Sequence, residues 1–367
     1  MTTFACFIAN PNTLNAYPTT LLAAACSSVR SVVSSCGKSY CFSCGDLLEF
    51  APVVYEHAAK FIGRRPWEVS RSADLLVEAH AAAYAVYRHA PVVAGIDVYN
   101  VEAEAYGAVV GASRENEVPS IIGQLCQGAA DLCRLAWPDA AGSGRFPMIM
   151  EAAARLKREC PGAEVRIPLS GPFSIACALA GFQGILTEVL TNPDTVAAAL
   201  RHLAAGQVEA CRTLASRGFR VMFFDSAASP PIISSDSFKS LVFPALCEMI
   251  AGVRRLTNES PPLILGGDTA GILEDLLRTG TEYVICPAET DREAFMEVMK
   301  KYPSVTVRMN TPAILFASDD REALRAELKY LTKLAGGRPA TVLGSGVLPY
   351  DADPSMVRYA QEFAATL

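Results

Sequence analysis

Eight short apolar runs constrain this chain more than any other feature. They fall at 39–44, 91–98, 163–169, 219–225, 262–266, 282–286, 304–309 and 340–344, and segments of helical spacing separate most of them. Such runs, rich in Val, Ile and Phe, suit strands buried on both faces of a parallel sheet, whose returns need helices. Helix signals bound the intervening segments. Asp74–Arg88 shows apolar residues at helical spacing. Asn192-Pro193-Asp194 opens a helix that reaches Arg217 and stops at Gly218. Helices are also predicted over Asp236–Leu256, Ala270–Arg278, Asp291–Tyr302 and Ser318–Leu334. The fold class expected is α/β: a (β/α)8 TIM barrel with additional N-terminal helices. An open doubly wound sheet is the structural alternative. Residues 46–88 and 120–160 are expected to add helices around the barrel. Residues 1–38, rich in Ala, Ser, Thr and Cys, are expected to be an atypical, poorly ordered N-terminal segment, and 39–367 to form one barrel domain.

Composition excludes several classes. Hydrophobic residues make up 51% of the 367 and charged residues 19%, which is globular rather than disordered. A net charge of −6 argues against nucleic acid, since phosphate neutralisation needs clustered Lys and Arg. The apolar stretch Leu21–Cys26 is too short for a membrane span, and no secretory signal is evident. The twelve cysteines are scattered, so they read as reduced, buried thiols of a cytoplasmic protein. Cys41-x-x-Cys44 has no second CxxC and reads as two thiols in the first strand. No GxGxxG follows a strand and no GxxxxGK[ST] occurs, which leaves nucleotide cradles unsupported.

In a barrel of this kind the carboxyl ends of the strands converge on one mouth. The predicted tips carry Asp97-Val98-Tyr99-Asn100, Ser170-Gly171, Phe224-Asp225-Ser226, Gly267-Asp268, Asn310-Thr311 and Gly344-Ser345-Gly346. Asp97, Asp225 and Asp268, with Glu102 nearby, suggest proton handling, a cation site or polar anchoring. The plainer reading is that each Asp caps the following helix. Tyr99 and the Phe223-Phe224 pair can stack a flat ligand or simply fill the core. Of the four histidines, His80 and His202 fall within helices, while His57 is near enough to the mouth to be a substrate-binding candidate.

Several stretches resemble the uroporphyrinogen decarboxylase superfamily: LSGPFSIACALAGF (169–182), GFRVMFFDSAAS (218–229), GGDTAGILEDLLRTG (266–280) and VLGSGVLPYDADPSMV (342–357). The superfamily's barrel matches the architecture argued above. DVYNVEAEAYGA (97–108) is similar to its corrinoid (cobalamin)-dependent methyltransferase branch. Its decarboxylases carry an Arg-rich N-terminal segment for substrate carboxylates, whereas Arg64-Arg65 here lies in a different setting, GRRPWEV. The thiol-directed methyltransferases hold zinc through His-x-Cys and a distant Cys. The corresponding positions here are Ile264, Gly266 and Gly346, which offer no ligand. The branch that demethylates phenyl methyl ethers has a Glu-x14-Glu-x20-His zinc pattern. Glu102 and Glu117 match its first two places, and Pro138 stands where the His belongs.

The resemblance implies a methyltransferase that moves a methyl group from a small methylated donor, such as an aromatic methyl ether, to the corrinoid of a partner protein. Asp97, Glu102 and Asp225 would activate the donor. Tyr99, Asn100, Ser170, Phe224, Asp268, Asn310 and His57 would bind it, and Glu102 with Glu117 would hold any zinc. On this view Glu102→Gln abolishes turnover without disturbing the fold. Dimers are common among the relatives. A tetrapyrrole decarboxylase and a non-catalytic corrinoid- or tetrapyrrole-binding barrel are the alternatives.

Overall fold

The computed structural model describes residues 48–367. The predicted strand at 39–44, the Cys41/Cys44 pair and the 1–38 segment lie outside the described residues. Two four-stranded parallel sheets make up the barrel wall. One has the order β1 (Phe50–Val53), β10 (Thr341–Val347), β9 (Thr306–Thr311), β8 (Tyr283–Cys286). The other has the order β2 (Val92–Val93), β5 (Val165–Ser170), β6 (Arg220–Phe224), β7 (Leu263–Ile264). In sequence order these eight strands are the staves of the predicted (β/α)8 barrel, with seams at β1/β2 and β7/β8. Thr281 Oγ1 donates to the Pro261 carbonyl across the second seam. An antiparallel hairpin, β3 (Val109–Gly111) with β4 (Ser120–Ile122), is inserted after β2.

Seven of the predicted apolar runs became barrel strands. The first stave is different: Phe50–Val53, inside a stretch expected to be helical. Pro52 hides this strand from a reader of the sequence, because Pro cannot donate to a ladder and argues against a central strand. The tertiary setting removes the conflict. The Glu49 carbonyl and the Val53 N–H and carbonyl face β10. Alternation therefore turns Pro52 toward the β1/β2 seam, where no ladder exists.

Helix boundaries follow the capping chemistry. Ser72 caps Ala73–Tyr87 by accepting from the Leu75 N–H, and Arg88 stops that helix with φ 51°. Asp291 and Asp320 cap Arg292–Met299 and Arg321–Ala335 through the N–H groups of Ala294 and Ala323. Pro193–Ser216 is the longest helix, and its apolar face, including Leu200, Leu203 and Leu214, is fully buried. The predicted Asp236–Leu256 helix is divided, with a π-turn at Phe238–Val242 before Phe243–Thr257. Along β9, Val307 and Met309 join the apolar layer beneath the helices. Alternate residues Arg308 and Asn310 face the barrel interior, as strand periodicity requires.

Candidate active site at the barrel mouth

The carboxyl ends of β1 and β6 and the loop after β2 build an aromatic wall. Tyr55 follows β1, Phe224 ends β6 and Tyr99 lies beyond β2. The ring of Phe224 meets Tyr55 edge-on at 5.9 Å and Tyr99 edge-on at 6.4 Å between centroids, a favourable geometry for aromatic quadrupoles. Tyr99 also bonds to Ser226, and burial pushes its hydroxyl above the ordinary range. Met222 and Arg308 lie one layer deeper. Arg308 Nε donates to Asn310 Oδ1 at 2.9 Å. The guanidinium side chain crosses β10 at Gly344, where a Cβ would come within 2.6 Å of Arg308 Cδ and 2.7 Å of the Ala51 carbonyl. Only a glycine leaves that path open.

The predicted acids do not gather in one hollow. Asp97 is buried and both its oxygens are taken by Arg145, at 2.8 and 2.7 Å. Asn100 donates to it at 3.2 Å and to the Pro119 carbonyl at 2.6 Å. Arg145 also bonds Glu104, which Arg71 meets at 2.5 Å. Asp97 is therefore half of an ion pair that holds the post-β2 loop, not a free acid.

Glu102 is 1% exposed and lies between the end of β5 and the helix Pro193–Ser216. It accepts from the Ser170 N–H, from Ser170 Oγ at 3.2 Å and from Gln207 Nε2 at 3.1 Å. β2 is two residues long, so the upper part of β5 has no strand on that side, and Glu102 satisfies the orphaned Ser170 N–H. Burial pushes Glu102 up to about 7, and its hydrogen bonds oppose the rise. Ser170, fully buried, belongs to this network rather than to the mouth.

Asp225 directly follows β6 and is fully buried. It accepts from the N–H groups of Ser174 at 2.7 Å and Phe173 at 3.4 Å, so it caps the helix Pro172–Ala180. Burial raises it to about 6 against those bonds. Gly171 permits this approach, since a Cβ there would lie 2.3 Å from the carboxylate.

Asp268 is exposed after β7 and accepts from Thr290 Oγ1 at 2.9 Å. His57 is fully buried: one ring nitrogen meets Tyr87 Oη at 2.8 Å, the other the Tyr350 carbonyl at 3.2 Å. Burial lowers its pKa to about 4. It braces helices and is not presented to the mouth. Glu117 is exposed on the β3–β4 hairpin while Glu102 is buried with its oxygens occupied. Among the described residues no three His, Cys, Asp or Glu side chains are grouped to hold a metal. The pair expected for zinc therefore does not fit that ion.

Three mouth residues escaped the sequence reading: Tyr55, Glu56 and Arg308. The first two follow the strand that Pro52 disguised. Arg308 sits within the apolar run 304–309, and only strand alternation signals that it points inward. Glu56 is half-buried at the tip of β1 and forms no ion pair among the described residues. Burial raises it to about 7, opposed by its own backbone N–H. A cavity of about 310 Å³ opens at the other end of the barrel, at the amino ends of β5, β6 and β7. Barrel chemistry is sited at the carboxyl ends, so that cavity is not the candidate.

Residues 48–366 match the family model described as Uroporphyrinogen decarboxylase (URO-D). Among solved structures the chain is similar to a methyltransferase from Methanosarcina mazei, at a TM-score of 0.72 and 18% identity, covering 87% of this chain and 94% of that one. It also aligns with xylanase B from Clostridium stercorarium F9 at a TM-score of 0.35 and 13% identity, covering 63% and 79%. That likeness is too slight to support any argument. No curated protein matches the sequence.

Proposed function

This chain belongs to the uroporphyrinogen decarboxylase family, and from that premise we propose that it is a methyltransferase taking a methyl group from a small aromatic methyl ether. The acceptor on this reading is the corrinoid of a partner protein, which supplies the nucleophile for the methyl carbon. The observation that supports the reading is the aromatic cluster at the strand ends: Phe224 meets Tyr55 and Tyr99 edge-on, and Arg308 shares a small space with Tyr55, so on this reading the three rings take one flat ring against them. A porphyrinogen bearing many carboxylates calls for several cations around the mouth. The likeness to the Methanosarcina methyltransferase supports the fold on which this rests.

Each residue then has a task. The aromatic wall orients the ring and excludes water. When the methyl–oxygen bond breaks, the bonding pair stays on the oxygen, which needs a proton. Glu56, at the tip of β1 with no ion-pair partner among the described residues, donates that proton. Asp225 fixes the helix Pro172–Ala180 against β6 and so sets the position of Phe224. Asp97, through Arg145, and Asn100 hold the loop that carries Tyr99. Exposed Asp268 at the rim is available to a polar substituent or to the docking partner. No step is routed through zinc.

The test is incubation of the protein with reduced corrinoid carrier protein and a panel of methoxybenzenes and methoxybenzoates, following loss of the Co(I) absorbance. Turnover with at least one aryl methyl ether is expected. Conversion of uroporphyrinogen with no methyl transfer would replace this reading by a decarboxylase, and neither activity would leave a binding barrel.

A further inference from the structure

The interior arginine bears on which methyl ethers the mouth accepts. Arg308 is 7% exposed. Its Nε is satisfied by Asn310, but no Asp or Glu among the described residues pairs with it. Every other strongly buried arginine among the described residues has such a partner: Arg145 has Asp97, Arg166 has Glu164 and Arg292 has Glu327. Burying a guanidinium without a counter-charge is costly, and proteins otherwise pair such groups. Glycine at 344 and the seam between β1 and β2 hold this costly arrangement open. The space that Arg308 lines at the β1/β2 seam, together with Tyr55, Val93 and Met222, is about 10 Å³, which admits roughly one water-sized atom group and no ring.

We infer that Arg308 receives the carboxylate of the substrate, so that the donors taken by this mouth are methoxylated aromatic acids rather than neutral aryl ethers. A carboxylate oxygen enters the small space at the seam. The ring stays above it, against Tyr55 and Phe224. The charged end is then deep and the far end of the ring points to the rim, where a methyl group can be reached by a partner's corrinoid and where Glu56 follows β1. Neutral ethers leave the guanidinium unpaired and gain nothing from Arg308.

The inference rests on the mouth being the substrate site, as proposed above, but not on the transfer step. Its test is therefore binding. Calorimetric titration of the full chain with 4-methoxybenzoate, and separately with the neutral 4-methoxybenzamide and anisole, should show about 10- to 100-fold tighter binding of the acid. Arg308→Met should remove that preference, and Arg308→Lys should keep part of it. Circular dichroism and the melting temperature of each variant check that the fold persists. Equal binding of acid and amide by the wild type overturns the inference. So does a preference that survives in a folded Arg308→Met. Should both Arg308 variants unfold, Asn310→Ala, which frees Nε, replaces them, and an unchanged acid preference there overturns it. Selective acid binding without methyl transfer would sustain the carboxylate site and reject the transfer reading, so the two fail separately.

Discussion

Glu102→Gln separates a structural carboxyl from a catalytic one. Gln keeps the shape of the side chain and an acceptor for the Ser170 N–H, and removes the titrating proton. Burial holds the folded carboxyl at about 7, against an ordinary value of 4.5. The folded chain thus binds this proton more tightly than the unfolded chain does. The stability that Glu102 contributes is fully present below about pH 4.5 and is lost as pH rises through about 7. The gap of about 2.5 pH units, at about 1.4 kcal/mol each, corresponds to about 3 kcal/mol. Urea unfolding of wild type and Glu102→Gln, each at several pH values from 4.5 to 8.5, measures it. Glu56, Asp225 and the buried histidines titrate in both proteins, so their contributions cancel in the difference. The variant should gain about 3 kcal/mol on the wild type across that window, and its turnover should stay within about threefold. A difference that does not move with pH, or a fall in turnover of about 100-fold or more, would refute the placement of Glu102 behind the barrel wall.

Arg145→Met strands Asp97, whose side chain is 1% exposed, and should cost about 3–5 kcal/mol in urea unfolding; the double variant Asp97→Leu/Arg145→Met should recover most of that. No recovery in the double variant would mean that the pair itself, rather than an uncompensated charge, sustains the loop. Glu56 must be protonated to act as an acid, so turnover should decline as pH rises through about 7. Glu56→Gln should lower kcat by about 10²–10⁴ and flatten that limb; an unchanged pH profile would remove Glu56 from the mechanism. Phe224→Ala should raise KM more than it lowers kcat, read from steady-state turnover, since the ring wall binds the donor before and during reaction alike; an unchanged KM would move the ring elsewhere.

The (β/α)8 architecture was legible because strand burial and helix capping are local signals: seven of eight staves and most helix ends follow from apolar runs, Asp and Ser caps and Gly stops. Phe224 and Asp225 were legible for the same reason, since a strand's last residues are placed by the strand. Which carboxyls stay free was not legible. Asp97 is claimed by Arg145, 48 positions away, and Glu102 by Ser170 and Gln207, 68 and 105 positions away. Partnerships over such separations leave no periodic trace. Strand alternation could indicate that Arg308 faces inward, but only the closed barrel shows it to be without an acid among the described residues and Pro52 to be harmless at an unpaired seam. Local chemistry therefore decided the frame, while the charge state and reach of the mouth were decided by which distant side chains the closed barrel brings together.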